Sequence, residues 1–104
     1  MHIAILHVPD CPNLDLTRSR VSAALDQTGV EASVGVVLVD GPTAADELGM
    51  HGSPTIAIDG HDPFDHDQGR GSMSCRLYWA EGRIDGAPGV EELIAAIARA
   101  QCQA

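Results

Sequence analysis

Apolar residues fall in runs along this chain, and the period of the pattern changes from one run to the next. His2 to Val8 is short and nearly continuously apolar, which predicts a strand buried on both faces. The segment PDCPN interrupts it. From Leu14 to Thr28 the apolar positions Leu14, Val21, Ala24 and Leu25 follow a helical spacing. Arg18, Arg20 and Asp26 fall off that stripe, and Gly29 supplies a C-terminal stop. Glu31 to Val39, with its core SVGVVLV, predicts a second strand, and Asp40-Gly41-Pro42 a turn. Thr43 is placed to cap a short helix ending at Leu48, with Gly49 after it. Thr55 to Ile58 predicts a third strand, Ser74 to Trp79 a fourth, and Glu81-Gly82 a turn. Val90, Leu93, Ile94 and Ile97 form the stripe of a last helix from about Gly89 to Ala100. The polar stretch 60–71 reads as a loop, and residues 101–104 as a tail.

The order is β-α-β-α-β-β-α in one domain spanning residues 1–104. The first β-α-β unit should be parallel and right-handed. The last two strands, joined by the long loop, should be antiparallel neighbours. The expectation is therefore a four-stranded mixed sheet flanked by helices. Hydrophobic residues make up 44% of the chain, too many for a disordered segment. Phe64, Tyr78 and Trp79 are its only aromatics, so the core must come from Val, Ile, Leu and Ala.

This element order resembles the minimal thioredoxin fold, and two stretches agree with it. In HVPDCPN, Cys11 lies at the junction of the first strand and helix. LGMHGSPTIAIDG, residues 48–60, resembles the segment of that family that carries a cis-proline before the third strand. The resemblance implies that Pro54 is this proline, and that the Ser53 backbone lies beside Cys11, ready to pair with an extended substrate segment. The chain departs from the family at Leu14, where a dithiol enzyme has its second cysteine. It also departs in the long loop at 60–71.

Charge narrows the partners. The formal net charge is −9, and all six cations are arginines without a basic cluster. Nucleic acid and anionic membrane surfaces are therefore disfavoured. No apolar run approaches the ~20 residues of a membrane span. Residues 1–8 lack the charged region and small-residue cleavage site of a signal peptide. Three cysteines are too few for a disulfide scaffold, and a reducing cytoplasm is the natural setting.

Cys11 is the main candidate for chemistry. Pro12 suits the first helical position, which would make Cys11 the N-cap. Unpaired N–H groups and the positive end of the helix dipole would then favour its thiolate, against the opposing charge of Asp10. The plain alternative is a small, half-buried side chain with no reactivity. Leucine at position 14 cannot resolve a mixed disulfide, so a local CxxC mechanism is excluded. Cys11, with Ser53 and Pro54, is the expected catalytic set, acting on a small thiol or on a protein thiol or disulfide, with no cofactor.

Cys75 is the other cysteine of interest. On one straight fourth strand it would lie about 13 Å behind the end that approaches Cys11, beyond the ~7 Å between Cα atoms that a disulfide allows. Alternation would put it on one buried face with Leu77 and Trp79, while Cys102 belongs to the tail. SMSCRLYWAEGRIDGAPGVEEL, residues 72–93, also resembles the segment of organomercurial (alkylmercury) lyases that carries a mercury-binding cysteine. That resemblance implies Cys11 and Cys75 as thiolate ligands for a soft metal such as mercury, with Asp15 as the proton donor. The loop DGHDPFDHDQGR offers Asp59, His61, Asp62, Asp65, His66 and Asp67, either as ligands for a harder metal or simply as a solvated acidic loop. His51, near Pro54, is placed to face Cys11. Three readings remain open: monothiol chemistry, soft-metal or lyase-like chemistry, and a non-enzymatic module that binds an extended peptide along the Pro54 loop.

Overall fold

The computed structural model is a small α/β domain with three helices and a mixed three-stranded sheet at its centre. It describes residues 1–64 and 72–102, with 72–75 described through their backbone. The elements are β1 (His2–His7), α1 (Leu14–Thr28), β2 (Ser33–Leu38), α2 (Pro42–Leu48), β3 (His51–Ser53) and β4 (Thr55–Ile58). They are followed by β5 (Ser72–Cys75), β6 (Tyr78–Ala80), β7 (Arg83–Asp85) and α3 (Val90–Cys102).

β1 is the centre of the main sheet. It pairs in parallel with β2 and antiparallel with β4, giving the order β2-β1-β4. The register sets Ile3 against Ile58 and Ile5 against Ile56, so one face carries a block of isoleucine. Val21 and Ala24 of α1 and Leu93, Ala96 and Ile97 of α3 close over that block. Leu6 points to the other face and packs with Val39, Ala45 and Met50, beneath α2. The continuous apolar run of β1 is thus explained by cover on both sides.

Helix boundaries follow local chemistry. Gly29 and Gly49 end α1 and α2 in the left-handed region, both at φ 70°, and their N–H groups close the last turns. α2 starts at Pro42 rather than at Thr43, because proline's fixed φ suits the first helical position. α3 continues to Cys102, so the tail is shorter than expected. Arg20 of α1 donates to the Asp85 carboxylate at 2.7 Å and the Ala87 carbonyl at 2.9 Å, tying α1 to the segment before α3. That bond, with one from the Gly86 N–H, holds the Asp85 carboxyl below the usual range.

The expected fourth strand is where the chain differs. Instead of one strand over Ser74–Trp79, two short strands flank Arg76 and Leu77. β5 runs parallel to β3, with Cys75 opposite Ser53, while β6 forms a hairpin with β7 through the turn at Glu81-Gly82. Among the described residues neither joins β4, so the main sheet has three strands rather than four. The buried Tyr78 and Arg76 side chains both turn inward to polar partners near Pro54, and Leu77 between them is left 70% exposed. Trp79 is also exposed, so the expected buried face of Leu77 and Trp79 is instead open to solvent.

Candidate functional site

Cys11 sits between two tight turns rather than at a helix cap. Its N–H donates to the Val8 carbonyl at 3.3 Å, and its carbonyl accepts from Leu14 N–H at 3.4 Å. Asp10 takes a positive φ of 58° in the first of these turns. The regular helical ladder begins only at Thr17, whose N–H and hydroxyl both reach the Asn13 carbonyl, at 3.0 and 2.7 Å. Asn13, not Cys11, is therefore the N-cap of α1, and Pro12 is not its first residue. The Asn13 side chain makes no capping bond; its backbone carbonyl accepts the first helical N–H. The argument that the helix end activates Cys11 loses its geometric basis. The thiol itself is free and half-buried.

The Pro54 loop meets this turn. The Ser53–Pro54 peptide bond is cis. Ser53 is 2% exposed, and its hydroxyl accepts from Val8 N–H at 3.1 Å, so it ties the end of β1 to the loop. The Ser53 carbonyl accepts from Arg76 N–H at 3.1 Å. The extended segment beside Ser53 is thus the chain's own β5, in the place assigned above to a substrate. The Thr55 hydroxyl closes the loop from within, donating to the Gly52 carbonyl at 2.6 Å and accepting from His51 N–H at 3.1 Å.

Four residues that the sequence reading did not place beside Pro54 complete the site. Tyr78 donates its hydroxyl to the Pro54 carbonyl. Its ring meets Phe64 edge-on, with centroids 5.5 Å apart, and the Arg76 guanidinium lies 4.7 Å from the ring centroid. Arg76 forks onto both oxygens of Asp62, in a pair whose two side chains are nearly buried. Burial pushes the Tyr78 phenol far above its ordinary range; Arg76 pulls it down, while the charges of Asp62 and Cys11 push it up. Tyr78 is therefore a neutral donor that holds the loop, not a proton acceptor. The signal for Tyr78 in the sequence was its rarity among the aromatics. Nothing local marks Arg76.

The other expectations divide. His51 lines a cavity of about 230 Å³ with Leu6, Thr55, Ala57 and His61, a set that does not include Cys11. Asp15 is exposed in the first turn of α1. Two acids of the proposed metal loop are already engaged: Asp59 accepts from His2 N–H at 2.8 Å, and Asp62 holds Arg76. Among the described residues no three His, Cys, Asp or Glu side chains converge as a metal site. Asp65, His66, Asp67 and the Cys75 side chain lie outside the described residues. The backbone register removes the premise of the distance argument against Cys75. It was based on one straight strand, whereas Cys75 pairs with Ser53 itself. No family model, curated protein or solved structure matches this chain.

Proposed function

We propose that the protein is a thioredoxin-like monothiol, with Cys11 as a nucleophile that forms reversible mixed disulfides. The observation that carries this reading is the meeting of two segments far apart in sequence. The turn bearing Cys11 and the Pro54 loop are joined by the bond from Val8 N–H to the Ser53 hydroxyl. The Cys11 thiolate attacks an external disulfide, forms one sulfur–sulfur bond and releases the other half as a thiolate. With Leu14 three residues on, a second external thiol completes the exchange. The reading is tested in a protein with Cys75→Ser and Cys102→Ser, incubated with glutathione disulfide and followed by mass spectrometry. One adduct on Cys11, reversed by a dithiol and absent in Cys11→Ser, is expected. An unmodified Cys11 in the folded protein would overturn it.

A second reading is favoured by the pairing of Cys75 with Ser53. In it, Cys11 and Cys75 together hold a soft metal ion. Titration with cadmium should then give a thiolate-to-metal absorption band that either Cys11→Ser or Cys75→Ser removes. Full retention in Cys75→Ser would rule it out.

A further inference from the structure

Ser53 has a cysteine-bearing segment on each side. β5 runs parallel to β3 with Cys75 in register with Ser53. Register partners on neighbouring strands lie about 5 Å apart. Just beyond Cys75, the Arg76 N–H donates to the Ser53 carbonyl at 3.1 Å, and the Arg76 guanidinium is held by Asp62, so this end of β5 is anchored. On the other side, the Ser53 hydroxyl accepts from Val8 N–H at 3.1 Å, and the Val8 carbonyl accepts from Cys11 N–H at 3.3 Å. Cys75 thus holds the register position beside Ser53 that the resemblance gives to a substrate residue. Cys102 belongs to the opposite end of the sheet. Ala100 lines a cavity with Ile58 and His61, and Ile58 pairs with Ile3 at the start of β1. Cys11 follows the far end of that strand, about 17 Å away.

We infer that Cys75 is the resolving thiol of Cys11, which rests on the nucleophilic Cys11 proposed above. Once Cys11 carries an external half in a mixed disulfide, the Cys75 thiol gives its proton to solvent and its thiolate attacks the Cys11 sulfur. A sulfur–sulfur bond forms between Cys75 and Cys11. The bond from Cys11 to the external half breaks, and that half leaves as a thiolate with the electron pair. The two protein thiols are oxidised, and the external disulfide is reduced to two thiols. The external thiol that completes the exchange then acts on the Cys11–Cys75 disulfide. Holding β5 against β3 makes the Cys75 step intramolecular, which favours it over attack by a dilute external thiol. The partner that Leu14 does not provide within α1 is supplied by the tertiary fold.

Glutathione disulfide added to the Cys102→Ser protein tests this, since Cys11 and Cys75 are then its two thiols. Samples are quenched with acid, blocked with N-ethylmaleimide, cut with trypsin and read by mass spectrometry. The adduct on Cys11 should be transient, and peptides 1–18 and 71–76, which end at Arg18 and Arg76, should become joined by a disulfide. The joining rate should not change with protein concentration, and it should fall by about tenfold or more in urea, which separates β3 from β5. In the Cys75→Ser, Cys102→Ser protein the adduct should persist. An adduct that persists equally in the Cys102→Ser protein overturns the inference and leaves the thiol reading of Cys11 standing. Cys11 unmodified in both proteins overturns both. Joining that is as fast in urea removes the role of the fold and overturns the inference, and joined peptides without any Cys11 adduct in the double variant overturn the assigned order of attack. If Cys75→Ser fails to fold, the joining rates of native and unfolded Cys102→Ser decide alone.

Discussion

The Tyr78 hydroxyl reaches from β6 to the Pro54 carbonyl, and burial keeps it neutral well above the usual phenol range. Its folded pKa is raised above the unfolded value of about 10. The stability this contributes is fully present below that pH and is lost as pH rises through the folded value. Because Tyr78 is the chain's single tyrosine, tyrosinate absorbance reads it directly. No tyrosinate band should appear near pH 10 in the folded protein, and it should appear there once urea unfolds the chain. Arg76 tests the same network from the other side. Arg76→Ala leaves Asp62 buried without its cation and should cost about 3–5 kcal/mol in urea unfolding. The double variant Arg76→Met with Asp62→Asn should recover much of that loss. The sequence marked Asp62 only as a candidate metal ligand and Arg76 not at all, because their pairing joins positions 62 and 76 through a fold that no local pattern specifies.

Among the elements, those set by local chemistry follow the sequence closely. α1 runs from Leu14 to Thr28, and Gly29 ends it at φ 70° with open space around its α-carbon. Gly29→Ala should therefore cost about 1 kcal/mol in unfolding free energy, from backbone strain alone. A larger loss would mean that packing is involved. Thr55–Ile58 is likewise a strand with the expected bounds. The run Ser74–Trp79 is different. Its alternating pattern suits one strand, but strands exist only with partners, and here the partners are β3 for one part and β7 for the other. The N-cap of α1 is a subtler case. Cys11-Pro12 and Asn13-Leu14 both resemble helix starts, and the structure uses the second.

For the whole molecule, 6 cations against 15 acids leave −9. Among the described residues, Arg20 and Arg76 are held in ion pairs with Asp85 and Asp62. The remaining acids repel one another across the surface. Salt near 0.1 M shortens the screening length to about 10 Å. The melting temperature should therefore rise between 0.01 and 0.1 M sodium chloride, by about one to a few degrees. A fall would show that exposed ion pairs outweigh the self-repulsion. No helix among the described residues is long and apolar enough to cross a membrane.

The sequence by itself determined what depends on near neighbours. It placed the buried central strand, the first helix and its glycine stop, the aliphatic core, and a cysteine on the turn between strand and helix. It also excluded a local dithiol mechanism, since Leu14 has no thiol. The tertiary structure alone decided which strands pair, that β5 lies against Ser53, and that Arg76, Asp62 and Tyr78 gather around Pro54. The division has one physical reason. Helix periods, caps and turns are fixed within a few residues, whereas strand partners and buried ion pairs are chosen by contacts between segments distant in the chain.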